Sequence, residues 1–135
     1  MRLDVLRAAN VARAAHWPGN EKADLPFRGL ELAGEVGELC NKVKKLHRLR
    51  AGIGGNRDVL AEEGLIVEIA EELGDVLITL DLLAMDLGLD LGPVAADKFN
   101  QKSEEVGIPI FIGLDAGREA AIQDLSGIHY RGGEV

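Results

Sequence analysis

Two pairs of carboxylates are embedded in apolar, helix-compatible stretches: Glu35 and Glu38 in ELAGEVGEL, and Glu72 and Asp75 in EIAEELGDVL. Each pair reads acid-x-x-acid. On an α-helix, residues three apart lie on one face about a turn along the axis, so each motif aims two carboxylates at one region of space. Two helices packed with these faces together gather four. Ionised carboxylates near a bundle interior need a counter-charge, because burying one without a partner costs several kcal/mol even after relaxation. A hard divalent cation, Mg²⁺ or Mn²⁺, is the natural candidate for an all-oxygen ligand set.

Periodicity sharpens the placement. At about 100° per residue, Ile69, Leu73, Val76 and Leu80 form one apolar stripe, and Glu68, Glu72, Asp75 and Thr79 a second one roughly 90–100° away. The preceding segment repeats the arrangement, with Leu32, Val36, Leu39, Val43 and Leu46 on the expected core face and Glu31, Glu35 and Glu38 along its edge. Antiparallel packing of the two helices across the Gly52 to Asn56 turn joins the acid edges. Gly34, Gly37 and Gly74 stand beside the acids although each interior helix glycine costs about 0.8–1 kcal/mol relative to alanine. They are expected to mark either close backbone approach or room for a ligand.

Breakers divide the rest of the chain into an all-α architecture. A first helix is expected from Leu3 to Ala15, ended by His16-Trp17-Pro18-Gly19-Asn20. A second runs from Pro26 to Arg50, a third from Asp58 to Leu87 before Gly88, and a fourth from Pro93 to Val106, stopped by Gly107 and Pro109. Residues 1–107 form the expected helical domain, and residues 108–135 a glycine-rich tail, arm or lid. At 135 residues and 47% hydrophobic content the chain suits one domain. Val76 to Leu89 is apolar almost all the way round, which implies burial on more than one side and hence a four-helix bundle completed by homo-oligomerisation.

Charge and cysteine content exclude other classes. A net charge of −8 argues against a general nucleic-acid surface, so an anionic substrate would need a metal as intermediary. Val76 to Leu89 is too short to cross a bilayer, and the charged N-terminus lacks the apolar core of a signal peptide. The single Cys40 suits a reducing, cytoplasmic setting, where its expected role is that of a small buried apolar residue. None of His16, His47 and His129 occupies a Glu-x-x-His position, which disfavours di-iron chemistry, and no His/Cys cluster offers a zinc site. Without a P-loop signature, Mg²⁺-assisted hydrolysis of a phosphate ester or anhydride is the leading chemistry.

The two acid motifs together resemble the E-x-x-E … E-x-x-D signature of the MazG-like all-α nucleoside triphosphate pyrophosphohydrolases. The resemblance extends over roughly Asn10 to Ile108, taking in Trp17 and Asp97-Lys98-Phe99-Asn100. It implies hydrolysis of a (deoxy)nucleoside triphosphate between the α and β phosphates, giving monophosphate and pyrophosphate, by a dimer or dimer of dimers. Glu35, Glu38, Glu72 and Asp75 then correspond to the Mg²⁺ ligands. Glu31, one turn before Glu35, is a candidate general base or ligand to a second metal. Lys98, Asn100 and Lys102 are candidates to hold the phosphates, although this chain reads KFNQKSEEVGIP where some relatives carry a Lys…Asn-Arg-basic-Tyr-Pro ending. Trp17 is a candidate to stack on the base and Asn10 to hydrogen-bond its edge. Nucleotide-pool house-cleaning is the expected role. The competing reading is a non-catalytic helical binding or regulatory dimer with a structural cation site.

Overall fold

The computed structural model describes residues 1–56 and 61–113, together with the backbone of residues 121–124. Asp58, the expected start of the third helix, and most of the glycine-rich tail lie outside the described residues. The order of elements is α1 (Leu3–Ala14), a short 3₁₀ turn (Asn20–Lys22), α2 (Leu25–Arg50), α3 (Glu62–Asp86), α4 (Leu91–Val106), β1 (Ile110–Gly113) and β2 (Ala121–Asp124). They fall into two compact units, Met1–Gly88 and Leu89–Val135, so that α4 groups with the tail rather than with α1 to α3.

Local chemistry sets the helix ends. The Asp24 side chain caps α2 by accepting a hydrogen bond from the Phe27 backbone N–H at 2.9 Å, and Pro26 sits in the first turn, where its missing N–H costs nothing. At the other end Gly52 adopts φ +66°, and the N–H groups of Gly52 and Ile53 return to the carbonyls of Leu49 and Arg48. That is the Schellman arrangement, which needs a residue without a Cβ penalty at the left-handed position. Gly107 closes α4 the same way at φ +67°, with Ile108 N–H bonded to the Ser103 carbonyl.

In the first unit α2 and α3 pack as an antiparallel pair. Arg28 pairs with Asp86, Lys42 with Glu68 and Arg50 with Glu62, so positions advance along one helix as they recede along the other. α1 lies against the C-terminal half of α3 through a stripe of Leu3, Leu6, Asn10 and Ala14. Its centre is polar: buried Asn10 donates from Nδ2 to Asp81 Oδ2 at 2.9 Å and to the Ile78 carbonyl at 3.3 Å. Arg7 grips the same carboxylate with Nε and Nη2 at 2.9–3.2 Å.

The expected core stripes are only partly covered within one chain. Leu73 is 53% exposed, Leu80 36%, Val36 40% and Val43 47%. The inter-helix contact lies instead on the side nearer the acids, where Leu65 and Thr79 are buried and Glu72 and Val76 half-buried. On helical geometry the exposed residues occupy the edge of the α2–α3 pair opposite the acids. Among the described residues nothing lies within 4 Å of where a Cβ at Gly34, Gly37 or Gly74 would stand, so close backbone approach among them is not what these glycines serve. Cys40 is exposed, not buried, because it projects from the uncovered side of α2.

In the second unit β1 and β2 form an antiparallel hairpin in register Ile110↔Asp124 to Gly113↔Ala121, an addition to the all-α pattern that the weakly periodic tail did not announce. Asn100 on α4 fastens it: Oδ1 accepts from Ile112 N–H at 2.7 Å and Nδ2 donates to the Ile112 carbonyl at 2.9 Å.

Candidate active site

The acid edges of α2 and α3 meet. Glu35, Glu38 and Glu72 each offer a carboxylate oxygen, and the three oxygens lie within 4.8 Å of one another. Asp75, one turn beyond Glu72, lies on the same side and lines a cavity together with Glu31 and Glu35. The electrostatic result is visible at Glu35. Burial first, and then the negative charges of Asp75, Glu38, Glu72 and Glu31, raise its carboxyl above the ordinary value of 4.5. Like charges brought together from two helices store repulsion that a cation would relieve.

The donor set is of one chemical kind. Three carboxylate oxygens from two helices converge, a fourth carboxylate stands beside them, and among the described residues no nitrogen or sulfur ligand joins the group. Such all-oxygen sets suit Mg²⁺ or Mn²⁺, which take carboxylates and retain open positions for water and phosphate oxygens. Glu35, Glu38, Glu72 and Asp75 therefore have the chemistry to hold one.

Two cations frame the acids. Lys42, one turn after Glu38, reaches Glu68 at 3.1 Å and Glu72 at 3.9 Å, fixing the outer side of the α3 carboxylates. Its hydrogen bond to Glu68, and then the negative charges of Glu68, Glu72 and Glu38, raise the pKa of Lys42 against the opposing effect of burial. Arg28, 4% exposed, joins three elements: Nε to Asp86 at 3.0 Å, Nη1 to Glu31 at 3.2 Å and Nη2 to Asn20 Oδ1 at 2.5 Å. Burial penalises its charge, but Asp86 and Glu31 outweigh that and raise its pKa above the usual guanidinium value. Glu31 is thus held at one oxygen beside Glu35. Neither Lys42 nor Arg28 is among the site residues assigned from sequence. The signal for Lys42 was its position four residues after Glu38, on the face of the acids; Arg28 gave none, since its partners Asp86 and Asn20 are remote or in a loop.

Beside the carboxylates opens a cavity of about 290 Å³, lined by Glu31, Glu35 and Asp75 together with Arg13, Trp17 and Asn20, with Ile78, Thr79 and Leu82 among its apolar and hydroxyl surfaces. Trp17 is 63% exposed, so it does not plug the bundle end; it also borders a second cavity of about 230 Å³ with Phe27 and Lys22. The Thr79 hydroxyl donates to the Asp75 carbonyl at 2.9 Å and is satisfied within its own helix.

Two expected substrate contacts have their side chains engaged elsewhere in this structure. Asn10 is 1% exposed, its amide N–H groups are given to Asp81 and Ile78, and its Oδ1 receives Arg13 Nη2 at 3.1 Å, so it belongs to the α1–α3 contact instead of to a base edge. Asn100 is committed at both amide atoms to β1. Lys98 and Lys102 are exposed on α4 in the second unit, where Lys98 bonds Gln101 and Lys102 pairs with Glu105, each at 2.9 Å.

No helix among the described residues is long and apolar enough to cross a membrane. Among curated proteins none matches the chain. A family model, the MazG nucleotide pyrophosphohydrolase domain, matches residues 29–107, a span that contains both acid motifs, all of α3 and α2 from its second turn on. With more than half of its length in that match and its acid motifs facing one another across α2 and α3, the chain belongs to the MazG nucleotide pyrophosphohydrolase family.

Proposed function

We propose that this protein is a Mg²⁺-dependent nucleoside triphosphate pyrophosphohydrolase that cleaves (d)NTPs between the α and β phosphates, releasing (d)NMP and pyrophosphate in nucleotide-pool house-cleaning. The observation that carries the reading is the convergence of Glu35, Glu38 and Glu72 from two helices at the edge of a nucleoside-sized cavity. At about 290 Å³ that cavity is at the small end of ligand sites, which run to roughly 300–1,000 Å³, and suits a base and sugar with the phosphates extending toward the acids.

Glu35, Glu38, Glu72 and Asp75 hold the cation in this reading. When bound, Mg²⁺ neutralises phosphate charge and lowers the pKa of water. The chain's own groups do the rest. Water adds to one of the two phosphorus atoms flanking the α–β bridge, the bridging oxygen departs with its electron pair, and the proton lost by water passes to a carboxylate. Glu31 is the proposed acceptor: it lines the cavity beside Glu35, and Arg28 fixes one of its oxygens. Trp17 offers a face for base stacking, and Lys98 and Lys102 are proposed to hold the departing phosphates.

The assembly is proposed to be a homodimer or tetramer in the cytoplasm. Its support is the exposed edge of Val36, Val43, Leu73 and Leu80, an apolar stripe on each of two adjacent helices that one chain leaves open. The test of the activity is product identity with a panel of standard and modified triphosphates and Mg²⁺, followed by ³¹P NMR. Monophosphate and pyrophosphate are expected. Diphosphate and orthophosphate would refute the cleavage site, and no turnover from folded, cation-binding protein would favour the regulatory dimer.

A further inference from the structure

The cavity beside the acids also holds a cation that the reaction scheme does not use. Arg13 lies near the end of α1, four residues before Trp17, and both line the cavity that Glu31, Glu35 and Asp75 line. Arg2, Arg7, Arg28 and Arg50 of the same unit each pair with a carboxylate. Among the described residues Arg13 and Arg48 do not, and of these two Arg13 lines the cavity; its Nη2 donates at 3.1 Å to the Asn10 side-chain carbonyl oxygen.

That single bond is a positioning contact. Asn10 is fixed at its other end by the buried Asp81 carboxylate, which Arg7 holds in turn. The buried Asn10 and Asp81 therefore hold the guanidinium from behind, through one of its five N–H donors. The rest of the Arg13 side chain is exposed, and an exposed head loses entropy when it is held. This one is held at a cavity that Trp17 also lines, with donors left to give.

We propose that Arg13 is the residue that reads the nucleobase, selecting bases with two adjacent hydrogen-bond acceptors: O6 and N7 of a 6-oxopurine, or N3 and O2 of cytosine. The inference rests on the cavity beside the acids being the nucleotide site. With the phosphates at the carboxylates, the base occupies the rest of the same cavity, where Trp17 supplies a stacking face and Arg13 a planar pair of N–H donors. Two parallel donors match two adjacent acceptors and mismatch adenine, whose N7 is flanked by the N6 amino donor. Uracil, with its N3–H between two carbonyls, offers no adjacent pair either. Asn10 acts through Arg13 and is a positioning residue.

Trp17 is the only tryptophan and lines the same cavity, so its fluorescence reports occupancy. The test is titration of the full chain with GMP, IMP, CMP, AMP, UMP and base-free ribose 5-phosphate, for wild type, Arg13→Ala and Arg13→Lys. Wild type is expected to bind GMP, IMP and CMP about tenfold or more tightly than AMP and UMP. Arg13→Ala should abolish that preference while leaving AMP within about twofold, on the same principle that only a bidentate pair discriminates. Arg13→Lys keeps the charge and loses the fork, and should behave like the alanine variant. An equal loss for every ligand including ribose 5-phosphate, with rescue by lysine, would make Arg13 a phosphate contact and overturn the proposal. So would an unchanged preference in Arg13→Ala, or no nucleotide binding by wild type. Base-selective binding that depends on Arg13, in a protein that releases no pyrophosphate, would sustain this inference and refute the hydrolase reading alone.

Discussion

Replacing Asp81 with alanine should be among the most damaging single changes in the first unit, even though Asp81 is far in sequence from both acid motifs. Its carboxylate is 1% exposed and serves two partners on α1: Arg7, through Nε and Nη2 at 2.9–3.2 Å, and Asn10 Nδ2 at 2.9 Å. Removing one member of a buried ion pair costs about 3–5 kcal/mol, because the other charge is left in a poorly solvated place. The Arg7 side chain is 20% exposed, so water reaches it and the lower end applies. Asn10 loses an acceptor but keeps the Ile78 carbonyl at 3.3 Å, which limits its share to roughly 1 kcal/mol. The sum is about 3–4 kcal/mol out of the 5–15 kcal/mol by which a domain is ordinarily stable. Urea unfolding followed by circular dichroism at fixed protein concentration measures it: with a slope near 2 kcal/mol per molar, the midpoint should fall by about 1.5–2 M. Asp81→Asn, which retains an acceptor for Arg7, should fall between this variant and wild type. A midpoint shift below about 0.3 M in Asp81→Ala would show that the polar centre of the α1–α3 contact contributes little, and with it the Asn10–Asp81 pair that holds Arg13.

Gly37→Ala should stabilise the isolated chain by about 0.8–1 kcal/mol, since nothing lies within 4 Å of the added Cβ; a thermal melt that falls instead would place another backbone against α2. The raised pKa of Glu35 means that the folded state holds its proton more tightly than the unfolded chain, so the stability it confers is present below the ordinary value of 4.5 and is lost as pH rises through the raised folded value. Metal-free melting temperatures should carry that decline, Mg²⁺ should oppose it increasingly as pH rises, and Glu35→Gln should remove both effects; a Mg²⁺ increment independent of pH in wild type would contradict the cluster's electrostatics. Leu73→Glu, at a residue 53% exposed on the uncovered edge, should shift sedimentation toward the 14.5 kDa protomer, whereas an unchanged oligomer would place the interface elsewhere.

Much of the framework was legible because it is written in local chemistry. Asp24, Pro26, Gly52, Gly88 and Gly107 punctuate the helices within a residue or two of where they begin or end, and the helical period alone brought the Glu35–Glu38 edge to face the Glu72–Asp75 edge. What the period could not decide was the cover on the apolar stripes. A helical wheel shows that Val36, Val43, Leu73 and Leu80 want burial, but not whether their own chain supplies it. Polar partners remote in sequence were equally hidden. Asn10 was expected to meet a base edge, yet its amide is engaged by Asp81, and Arg28, to which the sequence assigned no role, is 4% exposed and bridges Asp86, Glu31 and Asn20. Asn100 carried a motif resemblance, and the strand that claims it has too weak a pattern to foresee.

The central claim is that carboxylates from α2 and α3 form one cation site on which turnover depends. Its most direct test is Mn²⁺ titration by electron paramagnetic resonance alongside pyrophosphate release, in wild type, Glu38→Gln and Glu72→Gln. The account predicts that a substitution on either helix weakens Mn²⁺ binding and abolishes release together. Full turnover in Glu72→Gln, or cation binding that survives loss of both Glu38 and Glu72, would contradict it.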